Sequence, residues 1–87
     1  MSRGPARMPL TPRQAQALTA AADGAPLREV GARLGTTREQ ASSLLSRAYE
    51  RLNVTQVPRD RRRAAAVRAA VRRGLILVPA AKENRAP

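Results

Sequence analysis

The chain has no cysteine, histidine, phenylalanine or tryptophan, and Tyr49 is its single aromatic residue. The lack of cysteine excludes disulfides and a thiol nucleophile. With histidine missing too, the usual zinc sites and the imidazole acid–base are gone. Acids are scarce: six Asp and Glu stand against 17 Lys and Arg. Scattered as they are, they form no metal cluster and no catalytic carboxylate pair, so a non-enzymatic chain without cofactors is expected. With one aromatic, binding of single strands by base stacking has no platform. No run reaches the ~20 apolar residues of a membrane span. The basic N-terminus lacks the apolar stretch of a secretory signal. The expected setting is a soluble protein of the bacterial cytoplasm, associated with the nucleoid.

What remains is basic and aliphatic. A chain of 87 residues makes one small domain that buries only about 60% of its unfolded surface. Its core must come from Leu, Val, Ile and Ala, which favours closely packed helices over a sheet. The formal net charge is +11, and every basic residue except Lys82 is arginine. A GC-rich genome accounts for Arg over Lys but not for the deficit of acids. Arginine's planar fork suits bidentate contacts to phosphate and guanine, and a charge of this size argues for a polyanionic partner.

Residues 10–52 carry a continuous helical pattern. Thr11 is a natural N-cap, Pro12 takes the tolerated first position, and Gln14 completes a capping box. Ala15, Leu18 and Ala21/Ala22 give helix 1 an apolar face before Asp23-Gly24 ends it. Helix 2 covers about Leu27 to Leu34, with Pro26 where a hydroxyl cap would stand and Gly35 as its left-handed terminator. Helix 3 opens on a second capping box, Thr37-Arg38-Glu39-Gln40. Its apolar stripe is Ala41, Leu44, Leu45, Ala48 and Leu52 at i, i+3, i+4, i+7 and i+11. The opposite face is centred on Glu39, Ser43, Ser46 and Glu50, flanked by Gln40, Ser42 and Arg47. After a connection at 53–60 (NVTQVPRD), Asp60 can cap helix 4, roughly 61–73, with Ala64, Val67, Ala70 and Val71 on one side. Gly74 ends it. The apolar segment Leu75-Ile76-Leu77-Val78 must pack on the domain or on a partner.

Two short helices joined by a glycine turn describe a helix-turn-helix. The segments "LTPRQ", "EVGARLG", the cap at Thr37 and "RL-V" at 51–54 resemble the LuxR/GerE-type DNA-binding domain, ungapped from Leu10 to Val54. "AVRAAVRRGLI" at 66–76 resembles that family's final helix. "TREQASSLLSRAYERL" is also similar to region 4 of bacterial sigma factors, a related helix-turn-helix. The fourth helix and its "RRGLI" ending favour LuxR/GerE. Three features depart from that pattern. The connection before helix 4 is about six residues longer, Pro26 replaces the usual cap, and serines stand at 42, 43 and 46 where basic residues and a valine are typical.

The expected fold is all-α: a four-helix, LuxR/GerE-like helix-turn-helix over 10–78, with a flexible basic arm at 1–9 and a disordered tail at 79–87. The resemblance implies a small stand-alone transcriptional regulator that inserts helix 3 into the major groove of double-stranded DNA, as a homodimer through helix 4. Its expected DNA-binding residues are Thr37, Arg38, Gln40, Ser42, Ser43, Ser46 and Arg47. Serine reads either type of base pair, so direct readout should be degenerate, and a merely solvated helix face accounts for the three serines equally well. Glu39 accepts from a cytosine amine or repels phosphate; the residues leave that open. Arg61, Arg62 and Arg63 are either phosphate contacts or a solvated charge run. A protein-interaction module on RNA polymerase, a sigma factor or another regulator is the alternative, as is a nucleoid-type binder without sequence preference.

Overall fold

The computed structural model describes residues 10–78, which form four helices: α1 (Pro12–Ala20), α2 (Leu27–Leu34), α3 (Arg38–Arg51) and α4 (Arg59–Arg72). The architecture of the described residues is all-α, as expected of a core drawn from Leu, Val, Ile and Ala. The expectations for the arm at 1–9 and the tail at 79–87 lie outside the described residues.

Helix starts follow the sequence signals where a hydroxyl is present. The Thr11 hydroxyl accepts from the Gln14 amide at 3.1 Å, and the Gln14 side chain accepts from the Thr11 amide at 3.1 Å, closing a full capping box. Gln14 is only 5% exposed, so this cap also belongs to the edge of the core. Both α2 and α4 start behind prolines, Pro26 and Pro58, and neither has a side-chain cap. Asp60 therefore does not cap α4. It lies inside the first turn, where a carboxylate still complements the positive end of the helix.

Three helix ends share one device. Thr36 donates to the Gly31 carbonyl at 2.8 Å and Gly35 to that of Ala32 at 3.1 Å, a Schellman pair made possible by Gly35 at φ 71°. The same pair recurs beyond α3 (Val54 to Tyr49, Asn53 to Glu50), with Asn53 taking the left-handed position at φ 61°, and beyond α4 (Leu75 to Ala70, Gly74 to Val71). Helix α1 ends at Ala20, ahead of the Asp23-Gly24 pair. Asp23 serves the following turn instead, its carboxylate accepting from the Ala25 amide at 3.1 Å.

Leu18 and Val30 are the largest fully buried side chains, surrounded by Ala17, Ala21, Ala41, Leu45, Leu52, Val54, Ala66, Ala70 and Ile76. Small residues dominate this list, so backbones approach closely. A Cβ on Gly31 would stand 2.8 Å from the Thr37 carbonyl oxygen and 3.0 Å from that of Thr36. The α2–turn–α3 unit thus depends on the missing side chain. Helix α4 lies across α1 and α3, but its buried positions are Ala66 and Ala70, while Val71 is 45% exposed. The sequence-based face containing Ala64 and Val71 is rotated away from the observed one. The 75–78 segment also divides, Ile76 being buried and Leu77 88% exposed.

Arginines tie the helix ends together. Arg33 donates to the Ala20 carbonyl at 2.7 Å and pairs with Asp23 at 3.1 Å and with Glu29 at 3.0 Å. Arg63 reaches the Ala25 carbonyl at 2.7 Å and that of Ala21 at 3.3 Å, and Arg13 reaches the Leu34 carbonyl at 3.3 Å. The Ala20, Ala21 and Leu34 carbonyls lie at or just past the C-terminal ends of α1 and α2, the negative poles of the helix dipoles, whereas Ala25 is a loop carbonyl ahead of α2.

Gly31→Ala should destabilise the domain by roughly 1–3 kcal/mol, the usual cost of overpacking. That outweighs the gain of at most about 1 kcal/mol from alanine's better helix propensity. Urea unfolding measures the difference, and an unchanged or raised stability would refute the close-approach argument. The Asp23 carboxyl is held below its usual range first by the Arg33 hydrogen bond and then by the Ala25 amide. Its contribution is therefore present above the unfolded carboxyl value of about 3.9 and lost as pH falls through the lower folded value. Thermal melts of wild type and Asp23→Asn should differ above pH 4 and converge towards pH 2.

Candidate nucleic-acid interface

The second hydroxyl cap starts α3. The Thr37 hydroxyl accepts from the Gln40 amide at 3.1 Å. Here the box stays half open, for the Gln40 side chain forms no return bond to Thr37. The contrast with Gln14 is one of environment. Gln14 is buried against the core and bonded back to its cap, whereas Gln40 is exposed with its side-chain carboxamide unengaged.

The inner stripe of α3 is buried at Ala41, Leu45 and Ala48, with Leu44 half-buried. This leaves Thr37, Arg38, Gln40, Ser43, Ser46 and Arg47 exposed and Ser42 half-buried. The seven expected residues share one element, but they do not share one environment. Arg38 lies 3.8 Å from Glu39, both largely exposed, a contact between sequence neighbours that contributes little in water. Arg47 makes no hydrogen bond or ion pair among the described residues. Ser42 and Ser46 sit at the lip of a cleft between α3 and α4, of about 250 Å³, shared with Leu27, Leu45, Tyr49, Arg59, Arg62 and Arg63. Burial pushes the Tyr49 phenol above its usual range, and the Arg63 and Arg62 guanidiniums beside it oppose that rise.

Basic residues outside α3 extend the surface. Arg28, on the first turn of α2, lines a shallow depression with Pro26, Leu27 and Arg38, so two cations flank the start of α3. Sequence reasoning did not single out Arg28 or Arg59. The arginine run at 61–63 splits three ways: Arg61 is exposed, while the Nε of Arg62 donates to the Val57 carbonyl at 3.0 Å and Arg63 holds the end of α1. Among the described residues there is no group of His, Cys, Asp or Glu able to hold a metal ion, and no helix long and apolar enough to cross a membrane.

Residues 9–53, just over half the chain, match the family model for Sigma-70, region 4. The chain belongs to the Sigma-70 region 4 family. The match spans α1, α2 and α3, the helix-turn-helix DNA-binding unit, and stops before α4. It reverses the order of the two resemblances read from the sequence, where the fourth helix weighed towards LuxR/GerE. No curated protein and no solved structure matches the chain.

Thr37→Ala removes the only side-chain cap of α3 and should cost about 1 kcal/mol. Thr37→Ser keeps the hydroxyl and should restore most of it. Equal urea midpoints for wild type and Thr37→Ala would show that the cap contributes nothing.

Proposed function

We propose that the chain is a DNA-binding transcriptional regulator that inserts α3 into the major groove of duplex DNA. The observation carrying this reading is the outer face of α3, where Gln40, Ser43 and Arg47 are exposed and Gln40 and Arg47 have unengaged polar groups. Glutamine and arginine are the side chains that match adenine and guanine edges bidentately. Thr37 and the first-turn amides of α3, at the positive end of the helix, would meet a backbone phosphate, and Arg38 and Arg28 flank them. Membership of the region 4 family supports duplex binding in general. Ser42, Ser43 and Ser46 add contacts of low discrimination, so backbone charge supplies most of the affinity. What favours LuxR/GerE over region 4 is α4 and its ending, which lie outside the family match. That helix offers little for a homodimer: its inner stripe is covered within the monomer, and of its larger apolar side chains Val71 is the exposed one.

A second reading, a helix-turn-helix docking on RNA polymerase, a sigma factor or another regulator, draws on the exposed Leu77 beside a groove lined by Leu75, Ile76, Ala20 and Leu34. Selection from a randomised duplex library at several salt concentrations separates the two. The regulator reading expects an enriched sequence, and undetectable binding at low salt sinks it in favour of the docking module. Tight binding without enrichment would mark a nucleoid-type binder. Arg47→Ala should weaken duplex binding by roughly 1–3 kcal/mol if Arg47 reads a base edge, with no change in melting temperature. Unchanged affinity would remove α3's proposed docking.

A further inference from the structure

The inner stripe of α4 begins as arginine and continues as alanine. Arg59, Arg62, Arg63, Ala66 and Ala70 stand at i, i+3, i+4, i+7 and i+11, one face of a helix. Where Ala66 and Ala70 pack against the core, α4 is close and dry. One turn earlier the same face carries three guanidiniums, and across from it α3 presents Ser42, Leu45, Ser46 and Tyr49, again at i, i+3, i+4 and i+7. The two helices therefore enclose the cleft of about 250 Å³ rather than a packed interface.

No carboxylate lines this cleft. Three like charges converging without a counter-charge would normally swing apart into solvent, yet two of them are tied down. The Nε of Arg62 donates to the Val57 carbonyl at 3.0 Å, and one terminal nitrogen of Arg63 donates to the Ala25 and Ala21 carbonyls at 2.7 and 3.3 Å. Each guanidinium carries five N–H donors, so both retain donors beyond those bonds. Arg59 has no hydrogen-bond or ion-pair partner among the described residues. The hydroxyls of Ser42, Ser46 and Tyr49 add further donors. Fixed cations, free N–H groups and hydroxyls around one space make a receptor for a tetrahedral oxyanion.

The geometry points to this cleft as the seat of a backbone phosphate of the duplex bound by α3, with Arg59 as its most accessible contact. This rests on the DNA-binding reading above and extends it, for it makes α4 part of the DNA footprint. A phosphodiester is favoured over the carboxylate of an acidic protein segment by position. Ser42 and Ser46 belong both to the cleft and to the flank of the α3 face that carries Ser43 and Arg47, so a strand passing that face runs past the cleft mouth. The non-bridging oxygens of a phosphodiester are also set on a tetrahedral centre instead of in one plane, which suits donors arriving from two helices.

The test is the salt dependence of binding to a short duplex of mixed sequence, for wild type, Arg59→Gln and Arg68→Gln, between about 50 and 200 mM salt. Each phosphate neutralised contributes about −0.9 to the slope of log K against log salt. Arg59→Gln should flatten the slope by about 0.9 and weaken binding equally on every sequence. Arg68 removes the same charge from the opposite side of α4, nine residues on and half a turn round at 100° per residue, and Arg68→Gln should keep the wild-type slope. Melting temperatures confirm that both variants fold. If Arg59→Gln leaves the slope unchanged while wild type binds, the phosphate seat is wrong, the DNA-binding reading survives, and the cleft is left to a carboxylate ligand. If Arg68→Gln flattens the slope equally, diffuse charge replaces a seat and the proposal falls. If wild type binds no duplex at low salt, the DNA-binding reading fails and takes the phosphate seat with it.

Discussion

At the turn between α2 and α3 the backbone of Thr36 and Thr37 runs so near Gly31 that any Cβ there would meet a carbonyl oxygen at 2.8 Å. Several other features depend on that approach. The Thr36 amide reaches the Gly31 carbonyl at 2.8 Å, closing the Schellman pair that turns the chain at Gly35. The turn delivers Thr37 in extended geometry to cap α3, and Ala41 and Leu45 then join Val30 in the core, with Ala48 also buried. A bulkier residue at 31 would displace the start of α3 and, with it, the whole outer face from Arg38 to Arg47. The position of every DNA contact proposed on α3 is therefore set by a residue outside that helix.

Charge balance follows a second constraint. With 17 basic and six acidic residues, most arginines have no carboxylate available. Several use backbone carbonyls instead: Arg33 at Ala20, Arg63 at Ala21 and Ala25, Arg13 at Leu34, Arg62 at Val57. Ala20, Ala21 and Leu34 lie at or just past helix ends, where carbonyls are unsatisfied acceptors at the negative pole of the dipole, so a guanidinium there resolves two problems together; Ala25 and Val57 are loop carbonyls ahead of the next helix. The arrangement sorts the arginines into those that hold the fold and those, such as Arg28, Arg47 and Arg59, that remain available at the surface. A count of positive charge alone does not make this separation, which explains why the 61–63 run looked uniform in sequence and is not.

The helix-turn-helix was legible because its signals are local and redundant. Thr11 with Gln14, Gly35 after Leu34, Thr37 before α3 and the Ala41-to-Leu52 stripe each constrain one or two turns, and all agree. Helix α4 was misread in phase for a physical reason. Alanine at 64, 65, 66, 69 and 70 gives nearly every side of the helix some apolar character, so periodicity barely distinguishes one face from another. Arg63 helps to fix it through bonds to the Ala21 and Ala25 carbonyls, 42 and 38 residues away, and such long-range partners leave no trace in spacing. The end of α3 carries a weaker signal, since its left-handed position holds Asn53 and not glycine. The family assignment turned on the same helix. The match to region 4 ends at residue 53, so the feature that favoured LuxR/GerE lies wholly outside it.

On the DNA-binding reading, these observations also account for the serines. Ser42 and Ser46 share the cleft with the arginines of α4, so a large or charged residue at either position would fill it or repel its neighbours. Small hydroxyl side chains keep the space open and lined with donors. Direct base readout then falls mainly to Gln40, Ser43 and Arg47, of which only Gln40 and Arg47 can make a bidentate contact. A protein with so few discriminating contacts gains sequence preference from them and affinity from phosphate. Its binding free energy should accordingly be divided unevenly between the two faces of α3: the outer one selects, and the one turned towards α4 holds.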